Sequence, residues 1–105
     1  MKQNFNELTP KQTERLAILS EECGEVQKAI GKILRHGYDS YKPDIADSRS
    51  NREDLERELG DVIFAMRLLC RGDLRYGEIH TRAAEKAMKI SQYLHHHEPQ
   101  DIEGL

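Results

Sequence analysis

The chain has 105 residues, a formal net charge of −3 and 33% charged residues. The length fits one domain, and the acidic balance argues against a general nucleic-acid binder, which carries a basic surface. No apolar run approaches the roughly 20 residues that cross a bilayer, and the opening MKQNFNELTP lacks the apolar core of a secretory signal. The expectation is a cytoplasmic protein with no nucleic-acid or membrane partner. Cys23 and Cys70 are read as free core thiols of a reducing compartment.

Thr9-Pro10 opens the first element, with Thr as N-cap and Pro at the first helical position, where its missing N–H costs nothing. Leu16, Leu19, Cys23, Val26, Ile30 and Ile33 then recur on one helical face, and Gly37 closes the run. The spacing predicts a helix over 9–36. Residues 38–49 are polar, carry Pro43 and several Asp and Ser, and are expected to form a long loop. Ser50 and Glu53 have the spacing of a capping box. A second helix, 51–71, follows with Leu55, Leu59, Val62, Met66 and Leu69 on its face. Asp73 is placed to cap a third helix over 74–96, along which Ile79, Ala83, Ala87, Ile90 and Leu94 recur. A polar tail, 97–105, is expected to fray, and the His95–His97 run to fray with it. No strand signal and no internal repeat are present.

Helices one and two each carry a second seam beside the apolar face. On helix one it is Ile18, Glu22, Glu25, Ala29; on helix two it is Asp54, Glu58, Asp61, Ala65, Leu68. Each acidic pair is spaced i, i+3 and so shares one face. One loop joins the two helices, so they are expected to run antiparallel. Setting Glu22 level with Asp61 sets Glu25 level with Glu58, and puts the hairpin midpoint near residue 41 or 42, inside the loop. Four acids converging there repel one another and lose hydration, a cost that a divalent cation removes. The ligands are all oxygen, which favours a hard ion, Mg²⁺ or Mn²⁺.

The segments Leu19-Ser20-Glu21-Glu22-Cys23-Gly24-Glu25-Val26 and Glu58-Leu59-Gly60-Asp61-Val62 resemble the signature of the MazG-like nucleotide pyrophosphohydrolases: Glu-Glu-x-x-Glu, a spacer, then Glu-x-x-Asp. These belong to an all-helical superfamily with dimeric dUTPases and phosphoribosyl-ATP pyrophosphohydrolases. The resemblance spans roughly Leu16 to Leu69, and the spacer here is longer than is usual, with the extra length in the 38–49 loop. It implies Mg²⁺ on Glu22, Glu25, Glu58 and Asp61. It also implies cleavage between the α- and β-phosphates of an NTP or dNTP, giving a nucleoside monophosphate and pyrophosphate. The fold it implies is all-α: an antiparallel helical hairpin plus a third helix in a single 1–105 domain. A four-helix-bundle-type core is then completed by a homodimer or homotetramer.

In metal-assisted hydrolysis a free carboxylate accepts the proton of the attacking water. Glu21 and Glu25 are the catalytic candidates, and the spacing does not choose between them. On helix three, Arg82, Lys86, Lys89 and Tyr93 form a stripe suited to phosphate contacts. Its competing reading is a salt-bridged helix edge or a subunit contact. Tyr38, Tyr41 and Lys42 in the loop are candidates for a lid over the base, against the plainer reading of a mobile polar loop. The competing functions are a non-enzymatic helical interaction module whose acidic stripe meets a basic partner, and the same fold acting on dUTP or phosphoribosyl-ATP.

Overall fold

The computed structural model describes residues 5–105. Residues 1–4, where the segment read for a secretory signal begins, lie outside the described residues. The chain forms two compact units, the first ending at Asp73 and the second spanning Leu74–Leu105. Every regular element is an α-helix: α1 (Pro10–His36), α2 (Asn51–Leu69), α3 (Tyr76–Ile90) and α4 (Pro99–Ile102). No described helix is long and apolar enough to cross a membrane.

The first unit is a hairpin of α1 and α2. Thr9 caps α1 by accepting from the Gln12 N–H at 3.1 Å, and the Gln12 side chain accepts in return from the Thr9 N–H at 2.9 Å. The reciprocal pair satisfies two N–H groups that the helix start leaves unpaired. Gly37, at φ 88°, ends the helix and donates to the Ile33 carbonyl. That left-handed conformation is cheap only without a Cβ. Ser50 and Glu53 cap α2 in the same reciprocal way. The helices run antiparallel. Gln12 and Arg15 near the start of α1 reach Asp73 beyond the end of α2, at 2.9 and 3.7 Å. At the opposite end the Asn51 side chain donates to the Gly37 carbonyl at 3.1 Å.

The helices meet along a stripe that takes in the seams and the adjoining part of the faces predicted to be the core. Ala65 and Leu69 are fully buried and Ala29 nearly so. Ile18, Leu19, Glu22 and Val26 on α1 are half-buried, as are Leu55, Glu58, Val62 and Leu68 on α2. By contrast Leu16, Ile30 and Leu59 are more than two-fifths exposed, and Phe64 is 60% exposed. The reading of Cys23 as a core thiol is corrected: it is exposed, and Cys70 is half-buried. A single partner helix covers one stripe about 100° wide. Ala29, Ala65 and Leu69 are its most buried residues, and Leu16, Ile30, Leu59 and Phe64 fall to its flank.

The 38–49 segment is a loop, and it is tied down. Its ends are pinned to the start of α2 by Asn51 N–H to Ser40 and Arg52 N–H to Tyr38, at 2.9 and 2.8 Å. The Arg52 guanidinium lies 4.4 Å from the centre of the Tyr38 ring and 3.4 Å from Asp39.

In the second unit α3 ends at Ile90, short of the expected 96. The Gln92 and Tyr93 N–H groups turn back to Lys89 and Ile90, i→i+3 bonds that tighten and close the last turn. The predicted Asp73 cap does not form. Arg75 occupies the N-cap position with no side-chain bond, and Asp73 is held by Gln12 and Arg15 instead. The tail expected to fray forms α4, with Pro99 at its first turn and Asp101 accepting from the Glu98 N–H at 2.7 Å. Around it, His97, Ile102 and Leu105 line a hollow with His80, Ala87 and Met88 of α3.

Ala65 is fully buried in the hairpin. Ala65→Leu is expected to destabilise the protein by about 1–3 kcal/mol in urea unfolding, through overpacking of the seam. A variant within about 0.3 kcal/mol of the parent would contradict the close approach of α1 and α2.

Candidate metal centre

Glu58 and Asp61 stand one turn apart on α2, and Glu22 faces them from α1. One carboxylate oxygen from each lies within 4.8 Å of the others. Glu22 and Glu58 are half-buried and Asp61 is exposed. No His or Cys belongs to the cluster. Of the four acids expected to hold metal, the structure therefore brings three together. Glu25 is exposed and stands outside the trio. It lines an adjoining groove with Glu58, Lys28, Lys32 and Asp54. Glu21 is exposed and lines no part of that groove.

Among the described residues none of Glu21, Glu22, Glu25, Glu58 and Asp61 takes part in an ion pair. Of the cations that line the adjoining groove, Arg49 is paired with Asp54, and Lys28 and Lys32 make no ion pair with the trio among the described residues. The consequence is visible at Glu22, whose carboxyl is held above its ordinary value. Loss of hydration between the helices is the largest cause, and the like charges of Asp61, Glu58, Glu21 and Glu25 add to it. Three oxygen donors from rigid helices, unpaired and mutually repelling, fit a hard divalent cation. A merely solvated acidic edge would face water rather than share a seam with buried Ala29 and Ala65.

The expected phosphate stripe belongs to the second unit. Arg82 is paired with Glu85 at 3.5 Å. Lys86 and Lys89 lie on α3, exposed and without an ion-pair partner among the described residues. Tyr93 lies past the end of α3, so the helical step that placed it in the stripe does not extend to it. The sequence reading missed Lys28 and Lys32, which line the groove beside Glu25. The signal was present, since they continue from Glu25 by steps of three and four along one helical face.

The family model for the MazG nucleotide pyrophosphohydrolase domain matches residues 10–95, and the chain belongs to that family. No curated protein and no solved structure gives a significant match to the chain.

A carboxyl raised by folding costs stability above its raised value and costs nothing below its unfolded one. In metal-free buffer at about pH 7.5, Glu22→Gln is therefore expected to melt at a higher temperature than the parent. The difference should shrink as the pH falls toward the ordinary value of 4.5, where Glu22 itself becomes neutral. A variant that melts lower than the parent at both pH values would contradict the crowding of charge at this centre.

Proposed function

We propose that the protein is a Mg²⁺-dependent nucleoside triphosphate pyrophosphohydrolase, with Mn²⁺ as a working substitute. The observation that carries this reading is the convergence of Glu22, Glu58 and Asp61, none of them in an ion pair among the described residues. These three would hold the ion. Bound there, a divalent cation supplies charge neutralisation for the phosphate oxygens and acidifies a coordinated water.

The residues of the chain do the rest. The trio, on two capped helices, would fix where the ion sits and so where a phosphate could be held beside the groove. Glu25 and Asp54 line the groove while standing outside the trio, and Asp54 is paired with Arg49, which favours Glu25 over Glu21 as the proton acceptor. Water oxygen bonds to the α-phosphorus, and the bond from that phosphorus to the α–β bridging oxygen breaks. Pyrophosphate departs with the bridging oxygen and its electron pair, and the proton of the water passes to Glu25. The products are a nucleoside monophosphate and pyrophosphate.

The exposed Leu16, Ile30, Leu59, Ile63 and Phe64 support a homo-oligomer that completes a four-helix core. Light scattering is expected to give a dimer or tetramer of the 12.2 kDa chain. A monomer at micromolar concentration would overturn this assembly.

Pyrophosphate release with Mg²⁺ from a panel of NTPs and dNTPs, including dUTP, and from phosphoribosyl-ATP, tests the activity. The parent is expected to turn over at least one of them. Glu25→Gln and Asp61→Asn, still folded by circular dichroism, are each expected to lose about 100-fold or more. Undiminished turnover in Asp61→Asn would contradict the metal centre. No turnover of any substrate would favour an acidic module that meets a basic partner.

A further inference from the structure

The 38–49 loop does more than connect two helices. It walls a hollow of about 550 Å³ whose far side is the C-terminal end of α1, with Lys32, Arg35 and His36, and the start of α2. The loop contributes Tyr41, Lys42 and Arg49. Its shape is set by hydrogen bonds of its own: the Lys42 N–H to the Ser48 hydroxyl at 3.0 Å, the Ile45 N–H to Lys42 and the Ser48 N–H to Ile45, both at 3.2 Å. Asp47 holds a left-handed φ of 60° between them, a conformation Asp tolerates better than most residues.

The charge in this hollow is unbalanced. Arg49 is paired with Asp54 at 3.0 Å, while Lys32, Arg35 and Lys42 have no ion-pair partner among the described residues. Asp47 is the one other carboxylate on the wall. The Arg35 guanidinium lies back along α1, with one nitrogen 3.3 Å from the place a side chain at Gly31 would occupy. Three unpaired cations on a formed wall make a seat for a multivalent anion. A neutral nucleoside offers them nothing.

The hollow adjoins the groove beside the candidate metal centre. Lys32, Arg49, Asn51 and Asp54 line both it and the groove that holds Glu25 and Glu58. Glu58 in turn belongs to the carboxylate trio. Within the first unit the acids, the groove with Lys28 and Lys32, and the loop hollow are thus neighbours in that order.

We propose that this loop-walled basic hollow holds the pyrophosphate half of the substrate, with Lys32, Arg35 and Lys42 as its anion contacts, so that the nucleoside lies on the other side of the acidic trio. The proposal rests on the pyrophosphohydrolase reading of that trio. It assigns the loop to holding and releasing the leaving group rather than to covering the base.

Calorimetric titration of the whole protein with inorganic pyrophosphate in Mg²⁺, and separately with AMP, CMP, GMP, UMP and dTMP, tests it. Lys32→Ala/Lys42→Ala is expected to weaken pyrophosphate binding about tenfold or more, the loss of charge-assisted contacts. Its affinity for any monophosphate the parent binds should stay within about twofold. Lys32→Gln/Lys42→Gln guards against loss of packing by the stems and should behave alike. Pyrophosphate affinity unchanged in both variants, or a loss that falls on the monophosphate instead, overturns the subsite. Lysine-dependent pyrophosphate binding in a protein that hydrolyses nothing upholds the subsite and removes the hydrolase reading. Turnover with pyrophosphate binding indifferent to the lysines removes the subsite alone.

Discussion

Carboxylates crowd the line where two helices touch. Glu22 and Glu58 share a seam with Ala29 and Ala65, the small side chains at which the α1–α2 hairpin is most deeply buried. Hydration that would screen the acids is reduced on that side, and among the described residues no Lys or Arg forms an ion pair with them. Glu22 registers the cost as a carboxyl that resists ionisation. A fold selected for stability alone would put apolar residues or ion pairs here, because burying unpaired charge is expensive. The arrangement makes physical sense as a site completed by a cation.

The rest of the first unit keeps that seam in register. Reciprocal caps at Thr9–Gln12 and Ser50–Glu53 fix where each helix starts, and the Gln12, Arg15 and Asn51 bonds tie the two ends of the hairpin. A slip by one turn of either helix would break these bonds and separate the trio. The loop is part of the same construction. Pinned by Ser40 and Tyr38 to the first turn of α2, it lays a cationic wall at the end of the groove opposite the acids. The groove is thus polarised along its length, which suits a substrate whose charge is concentrated on one side of the bond to be broken.

Much of this was legible in residue spacing. Caps are local, so Thr9-Pro10, Gly37 and Ser50–Glu53 announced the helix limits directly. The paired i, i+3 acids gave a register that needed no tertiary information beyond an antiparallel hairpin. What stayed hidden depends on contacts between distant residues. Two neighbouring stripes on α1 are apolar enough to bury. The α1–α2 contact takes the stripe that holds Ala29, which leaves Cys23 and Ile30 exposed rather than in the core. Glu25 keeps the helical step of Glu22 and lines the groove with Glu58, while the tight cluster is Glu22, Glu58 and Asp61. The end of α3 and the turn of α4 rest on i→i+3 bonds and on Asp101, which weak periodicity did not show. The loop's wall is built from side-chain and main-chain bonds of no fixed spacing, and composition alone made it look mobile.

Titration of the metal-free protein with Mn²⁺ or Mg²⁺, followed by calorimetry and by melting temperature, tests the central claim most directly. The account predicts saturable binding that raises the melting temperature, and a loss of about tenfold or more in affinity for Asp61→Asn and for Glu58→Gln. Binding that does not saturate, with a melting temperature indifferent to the ion and to both substitutions, would contradict it.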